Sequence, residues 1–283
     1  QQDAKLQPHV GPAPRRSRCS GGFVHERLVT GRAPGGPVVA IETSGWLGSV
    51  AVAVDGSVVA RRFLTERAGH ASGLMPAVRE VLEEGGTGLA QVAGVVVGAG
   101  PGSFTGVRIA GAAAKGLAAG LGVPLYAVSS LQAASFAREA FAGDLRELAD
   151  AVAAAGLGQD LDRDGQTFAG KDGKREVRYV LFDARNGRVY GACYDVKANG
   201  SVELTPPHGG TILEVLNGRP PMGTCFMGDG AVTHAALIHA AGYETRPPPA
   251  GIAIADAVVE CCRWEPVDVA DWQPDYVREW KPG

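Results

Sequence analysis

The sequence predicts an α/β protein of two similar lobes, each a mixed sheet carrying helices. Strand-forming runs are joined by tight-turn dipeptides in two separate places, Asp55-Gly56 and Asn186-Gly187. Each hairpin group gives way to helical spacing, a short strand and a further helix. The run from Val92 to Val97 is apolar throughout, as expected of a strand covered on both faces in the parallel part of a sheet.

In chain order, residues 1–36 are rich in Gly, Pro, Arg and Ser and begin with Gln, which reads as an unfolded extension or a misplaced start. Order is expected from Val38 to Ile41, followed by strands over Ser49–Val54 and Val58–Phe63 about the Asp55-Gly56 turn. A helix follows with Pro76 in its first turn, and Leu74, Val78, Val81 and Leu82 share one face. Gly85, Gly86 and Gly88 end it. The Val92–Val97 strand leads to a helix from about Thr105 to Gly120, and Leu125–Val128 supplies a further strand. These elements form an N-terminal lobe, 37–142. The stretch 143–176 reads as a linker with an inserted surface loop, because Gln159–Arg175 is polar, rich in Gly and Asp, and lacks apolar periodicity.

The C-terminal lobe, 177–283, repeats the order. Val177–Asp183 turns at Asn186-Gly187 into Val189–Val196, and Asn199-Gly200 turns into Val202–Leu204. Helical stretches near Ile212–Leu216 and Ala231–Ala241 flank a strand at Cys225–Met227, and a last helix is expected over Ile252–Cys262.

The 283 residues are 45% hydrophobic and 20% charged, enough for a sizeable core. A formal net charge of −3 gives no global attraction for a phosphate backbone, which disfavours a basic protein that grips RNA directly. Cys19, Cys193, Cys225, Cys261 and Cys262 contain no C-x-x-C pair, so they read as reduced thiols rather than a zinc site. No apolar run reaches the roughly 18 residues that span a bilayer, and the first residues lack the apolar middle of a signal peptide. The expected location is the cytoplasm, with no membrane partner.

The segment from Gly98 to Arg108 (GAGPGSFTGVR) lies between a buried strand and a helix, where glycine amides can approach an anion. Its spelling departs from three enzymatic patterns. A phosphate-binding P-loop needs Lys then Ser or Thr after the last glycine, whereas Val107 and Arg108 follow Gly106. A dinucleotide fingerprint started at Gly98 and Gly100 meets Ser103 at its third position and is preceded by hairpins. A nucleophile elbow needs Ser at the centre of G-x-S-x-G, which Gly102–Gly106 does not provide. Ser103 is expected to cap the helix.

Ile41, Glu42, Thr43 and Ser44, together with GPGSFTGVR at Gly100–Arg108, resemble the TsaB family of tRNA threonylcarbamoyladenosine biosynthesis over about Val38–Ala134. Phe182–Tyr190 and Pro274–Arg278 resemble the family's second-lobe opening and C-terminal segment. The resemblance implies two ribonuclease H-like lobes, the actin-like ATPase (ASKHA) fold, similar to that of sugar kinases, Hsp70 and actin. It implies a scaffold or dimerization subunit that pairs with a TsaD-like catalytic subunit through N-lobe helices. A TsaE-like ATPase completes the assembly, which meets tRNA only as a complex. Self-association as a homodimer and an active enzyme of the same fold (a TsaD-like transferase, a small kinase or a metallopeptidase-like hydrolase) are the alternatives.

The TsaD relatives are expected to carry two metal-binding histidines, His-x-x-x-His, where this chain has Ser130 and Ala134, neither of which replaces an imidazole. The resemblance therefore implies no catalytic and no metal-binding residues here, with ATP, magnesium and a metal held by the partner subunits. The six histidines, His9, His25, His70, His208, His234 and His239, do not rebuild the pair; His234 and His239 are five apart, off the spacing that shares a helix face. Thr43, Ser44, Gly100 and Gly102 are the candidates for a vestigial nucleotide site, against the alternative that Thr43 and Ser44 only shape a strand end. Leu74, Val78, Val81, Val107, Ala110, Ala112 and Ala114, on the first two helices, are the candidates for the partner interface.

Overall fold

A computed structural model describes residues 31–65, 70–157, 175–197 and 200–276. Strands β1 (Val38–Glu42), β2 (Gly48–Val54) and β3 (Ser57–Leu64) form an antiparallel meander. The β2–β3 turn is as expected: Asp55 (φ 51°) and Gly56 (φ 80°) both take the left-handed conformation that a two-residue hairpin turn requires. Helix α1 (His70–Glu84) precedes β4 (Gly94–Gly98), which pairs parallel to β1. Helix α2 (Phe104–Leu121) leads to β5 (Leu125–Val128), and the sheet order is β3-β2-β1-β4-β5.

The second half repeats this arrangement. Strands β6 (Glu176–Asp183), β7 (Arg188–Lys197) and β8 (Gly200–Thr211) form a meander, and α5 (Ile212–Asn217) precedes β9 (Cys225–Met227), which runs parallel to β6. After α6 (Asp229–Thr233) and α7 (Ala235–Ala240) comes β10 (Glu244–Arg246). The order β8-β7-β6-β9-β10 is that of the first sheet with each strand replaced by its counterpart. Two mixed sheets of identical order, flanked by helices, are the doubled arrangement read from the sequence and the two-lobed fold that the family resemblance implies.

Alternation along β1 explains its complete burial. Val38 and Ala40 join the apolar cluster on one face, and Val39 and Ile41 the cluster on the other. Helices α1 and α2 cover the second face with Leu74, Val78, Val81, Ala110 and Ala114. Burying each of the larger side chains contributes about 1.5–3 kcal/mol. The first face is covered by α8 (Ala255–Glu260), a helix from the far end of the chain, through Ala255, Ala257, Val258 and Val259. In exchange α3 (Ser130–Ala140), which follows β5, lays Leu131, Ala134 and Phe136 on Val180, Phe182 and Tyr194 of the second sheet. Each half thus lends one helix to the other. Polar bonds fix α8 on its borrowed sheet: Ala255 N donates to Ser49 Oγ (2.8 Å) and Arg61 Nε to the buried Asp256 (2.9 Å).

The structure corrects several expectations. Pro76 is the seventh residue of α1, on its exposed face, and not in the first turn. Val92 and Ala93 precede β4, which starts at Gly94. The 143–176 stretch contains α4 (Leu145–Ala154), capped by Asp144, with Leu148, Ala149 and Val152 buried. Residues 158–174, most of the expected polar loop, lie outside the described residues, as do residues 1–30 and Asn199. Residues 31–36, read as part of the extension, pack on the body: Gly31 N donates to Arg263 O (3.1 Å), and Pro34 lies beside Gly94. Strand β8 is much longer than Val202–Leu204, its prolines tolerated because it is an edge strand with register shifts against β7. The Ala231–Ala241 stretch breaks at His234 into α6 and α7, and β10 was not anticipated.

Candidate functional site

The glycine segment after β4 packs onto the end of β1, and the packing explains its glycines. A Cβ on Gly98 would overlap the Glu42 carboxylate, and one on Gly106 the Thr43 carbonyl oxygen. At Gly102 it would lie 2.7 Å from the Ser44 Cβ. Spaced by four residues, these glycines let α2 and its approach loop press against Glu42–Ser44. Gly100 is glycine for another reason, its φ of 91°.

The loop amides find partners inside the chain. Gly100 N donates to Ser130 Oγ (3.1 Å), Ser103 N to Ser44 O (2.7 Å) and Gly106 N to Ser103 Oγ (3.4 Å). Ser103 is therefore the helix cap expected for it. Thr43 Oγ1 donates to Gly106 O (2.7 Å). Thr43, Ser44, Gly100 and Gly102, the candidates for a nucleotide site, are brought together in a packed seam where the Thr43 hydroxyl and the Gly100 and Ser103 amides are bonded within the chain. An anion at Gly100 or Ser103 would have to displace those bonds.

Beneath the seam lies a fully buried acid. Glu42 accepts from Ser44 N at Oε1 (2.5 Å) and from Ser130 Oγ at Oε2 (2.7 Å). Burial pushes its carboxyl above the usual carboxylate range, while the bonds from Ser44 and Ser130 pull it partly back. Ser130 thus stands where TsaD relatives are expected to carry a metal-binding histidine and instead positions Glu42. Ala134, at the second histidine position, is buried in the apolar cluster under the second sheet. Among the described residues no group of three or more His, Cys, Asp or Glu side chains could hold a metal ion.

The partner-interface candidates need correction. Leu74, Val78, Val81, Val107, Ala110 and Ala114 are all at most 2% exposed, because the apolar stripe of an amphipathic helix faces its own sheet. Of the seven only Ala112 faces outward. The surfaces these helices present are Met75, Arg79 and Glu83 on α1 and Arg108, Ala112 and Gly116 on α2.

A segment that the sequence singled out, Pro274–Tyr276, closes one flank of the site. Val267 bridges to Leu125 at the β5 edge, Lys115 Nζ donates to the Ala270 and Trp272 carbonyls (3.0 and 2.9 Å), and Asp275 N donates to Ala99 O (2.8 Å). Trp272 and Pro274 sit over Gly111, whose missing side chain admits them. Tyr276 meets the exposed Phe104 ring at 5.8 Å, and Arg108 lies over the same ring at 5.1 Å. Val277 and Arg278 lie outside the described residues.

A shallow cavity of about 280 Å³ opens where the two connectors between the lobes pass, lined by Ser129, Gln132, Cys261, Arg263 and Trp264. Across the molecule, Asp229 at the start of α6 is buried and accepts from the amides of Asp183 (3.1 Å) and Gly230 (3.0 Å). Sequence reasoning missed Asp229, which belongs to no motif and lies 46 positions from Asp183.

A family model described as "TsaD: tRNA N6-adenosine threonylcarbamoyltransferase" matches residues 63–151, from the end of β3 into α4. The tRNA threonylcarbamoyladenosine biosynthesis protein TsaB of Bacillus subtilis (strain 168) is 30% identical over 207 residues, 71% of this chain and 74% of the relative. This chain belongs to the TsaB family. The TsaB protein of Escherichia coli (strain K12) is 42% identical over 94 residues, 33% of this chain and 40% of its own length. YeaZ from Pseudomonas aeruginosa shares the fold, with a TM-score of 0.60 at 24% identity over 86% of this chain and 100% of that one. The TsaD-type match spans Ser130 and Ala134.

Proposed function

We propose that this TsaB-family chain serves tRNA threonylcarbamoyladenosine biosynthesis as a subunit without a catalytic centre of its own, binding and supporting a TsaD-like catalytic partner. The observation that carries the reading is the fate of the two histidine positions. Ser130 holds the buried Glu42 and Ala134 packs in the core, so neither offers a lone pair to a metal at an open site. A fold shared with a transferase family does not confer its chemistry when the site residues differ.

On this reading ATP, magnesium and the metal belong to the partner subunits, including a TsaE-like ATPase, and tRNA is met through the complex. The protein works in the cytoplasm; among the described residues no helix is long and apolar enough to cross a membrane. The partner docks on the outward faces of α1 and α2, where Ala112 and Gly116 leave room for close helix approach.

The test is to mix the purified chain with the TsaD-like protein of its own organism and measure the mass of the species formed. A complex containing both chains is expected. A chain that stays monomeric, or forms only a homodimer in the presence of that partner, contradicts the reading.

A further inference from the structure

We infer that His208 and Tyr179 form an acid-sensitive clasp holding the outer strand of the second sheet, β8, and the helix that follows it, α5. Strand β8 lies at the edge of its sheet, so its backbone is paired on one side only, to β7. That ladder is interrupted by register shifts between Gly191 and Tyr194, and Pro206 and Pro207 bring no N–H to it. The clasp lies at this weak stretch. His208 pairs with Gly191 of β7, and its ring reaches over that glycine to meet Tyr179 of β6, two strands away, edge-on at 6.0 Å. A Cβ on Gly191 would stand 3.0 Å from the Tyr179 ring and 3.2 Å from the His208 ring, so the glycine is what lets the two rings meet.

The hydrogen bonds fix the state of the imidazole. His208 Nδ1 lies 3.0 Å from the Pro206 carbonyl oxygen, which can only accept, so Nδ1 carries a proton. Nε2 lies 3.1 Å from the Tyr179 hydroxyl; in the neutral ring it has no hydrogen and accepts from that hydroxyl. Charging the ring puts a hydrogen on Nε2 and reverses the bond, and the Tyr179 hydroxyl then needs another acceptor. Tyr179 is buried, its ring is stacked on Phe226 at 5.1 Å, and among the described residues its hydroxyl has no other partner. Protonation therefore strands a buried donor beside a buried cation.

The titratable groups packed around the ring are Tyr179 on β6, Cys193 on β7 and Glu214 on α5, with Arg188 of β7 beside Glu214. Burial pushes the Cys193 thiol up to about 12 and so keeps it uncharged. Burial likewise holds the His208 imidazole below its ordinary 6.5, against the pull of the Pro206 carbonyl and of Glu214, whose Oε2 is engaged by the Thr211 amide (2.7 Å) and hydroxyl (3.1 Å). The folded protein thus binds this proton less tightly than the unfolded chain. The clasp contributes its full stability above about pH 6.5 and loses it as the pH falls below that. In acid the end of β8, 206–211, and α5 come loose, while the helices of the first lobe stay in place.

The test is NMR on the full chain. At pH 7.5 the His208 imidazole should carry its proton on Nδ1, and its titration midpoint should lie below 6.5. A proton on Nε2, or a midpoint at or above 6.5, overturns the clasp. Amide exchange, corrected for intrinsic rates, then reads the strand. From pH 7.5 to pH 5 the protection of residues 208–211 should fall about fivefold or more, the factor for one buried hydrogen bond, while that of Val95 and Val96 in the first sheet changes by less than about twofold. His208→Phe keeps a ring and removes the titration, so in that variant the acid loss should disappear. A loss that persists in His208→Phe, or no loss in the unaltered chain, overturns the proposal, and the proton position and titration midpoint test it whether or not the variant folds.

Discussion

The two lobes share one strand order and differ in what surrounds it. In the N-terminal lobe the helices on the sheet are long, 15 residues in α1 and 18 in α2, whereas α5, α6 and α7 have 6, 5 and 6. Both lobes press a glycine-bearing turn onto the end of their first strand. Gly98, Gly102 and Gly106 press on Glu42–Ser44, and Gly228 and Gly230 on Leu181. The acid differs: the N-terminal lobe buries Glu42 on the strand, bonded to Ser44 and Ser130, and the C-terminal lobe buries Asp229 on the helix. The same topology therefore serves two ends. One lobe carries the long helices proposed as the docking surface, and the other completes the core.

The difference can be broken most severely at the N-terminal seam. Gly106→Ala forces a methyl group into the Thr43 carbonyl, a backbone atom that cannot swing away, and should cost about 4 kcal/mol or more, read as loss of the thermal transition. A variant that unfolds within 1 kcal/mol of the parent would show that the seam is not close-packed.

At the second acid the effect is a pH dependence. Burial, with the Asp183 charge beside it, raises the Asp229 carboxyl from its ordinary 3.8 to about 6 in the folded state, so the folded protein binds the proton more tightly than the unfolded chain. Stability from this group is therefore greatest below pH 4 and falls as pH rises to about 6, by about 3 kcal/mol in all. Asp229→Asn should remove that component. Melting measured from pH 4 to pH 8 should show the parent losing stability relative to the variant across the window; parallel curves would contradict the assignment.

The proposed docking surface separates the lobes next. Ala112→Glu on the exposed face of α2 should leave stability within about 0.5 kcal/mol and weaken binding of the TsaD-like partner more than tenfold. Leu237→Glu on α7, also at an exposed position, should leave binding unchanged. The reverse pattern would move the partner to the C-terminal lobe. The smallest expected effect lies on the same helix as the largest: Gly116 is exposed, with open space where its Cβ would stand, so Gly116→Ala should stabilise by about 0.5–1 kcal/mol in the free protein.

The sequence made local features legible and left non-local ones hidden. Asp55-Gly56 and Asn186-Gly187 announce their turns because positive φ at both residues is written in the residue types. The duplicated order could be read for the same reason, as a succession of local periods. Helix α4 was missed because the polar stretch after it dominated its neighbourhood, although Asp144 with Glu147 and the Leu148–Val152 spacing signal it. The exchange of α3 and α8 has no local sign, since amphipathic helices do not say which sheet they will cover. The candidate interface residues are buried for a related reason: Leu74, Val78 and Val107 belong to the apolar stripes of their helices, and that is why they face inward. In the candidate site, Glu42–Ser44 and the glycine loop were visible, but the Ser130 bond to Glu42 and the Asp183 amide bond to Asp229 join residues far apart in the chain.

The most direct test of the central claim is threonylcarbamoyl transfer to tRNA, reconstituted with the TsaD-like and TsaE-like proteins of the same organism, with and without this chain. Transfer that requires the chain, while the chain alone neither hydrolyses ATP nor modifies tRNA, is the expected result. Turnover by the isolated chain, abolished when the seam at Thr43 is altered, would contradict it and make the end of β1 an active site.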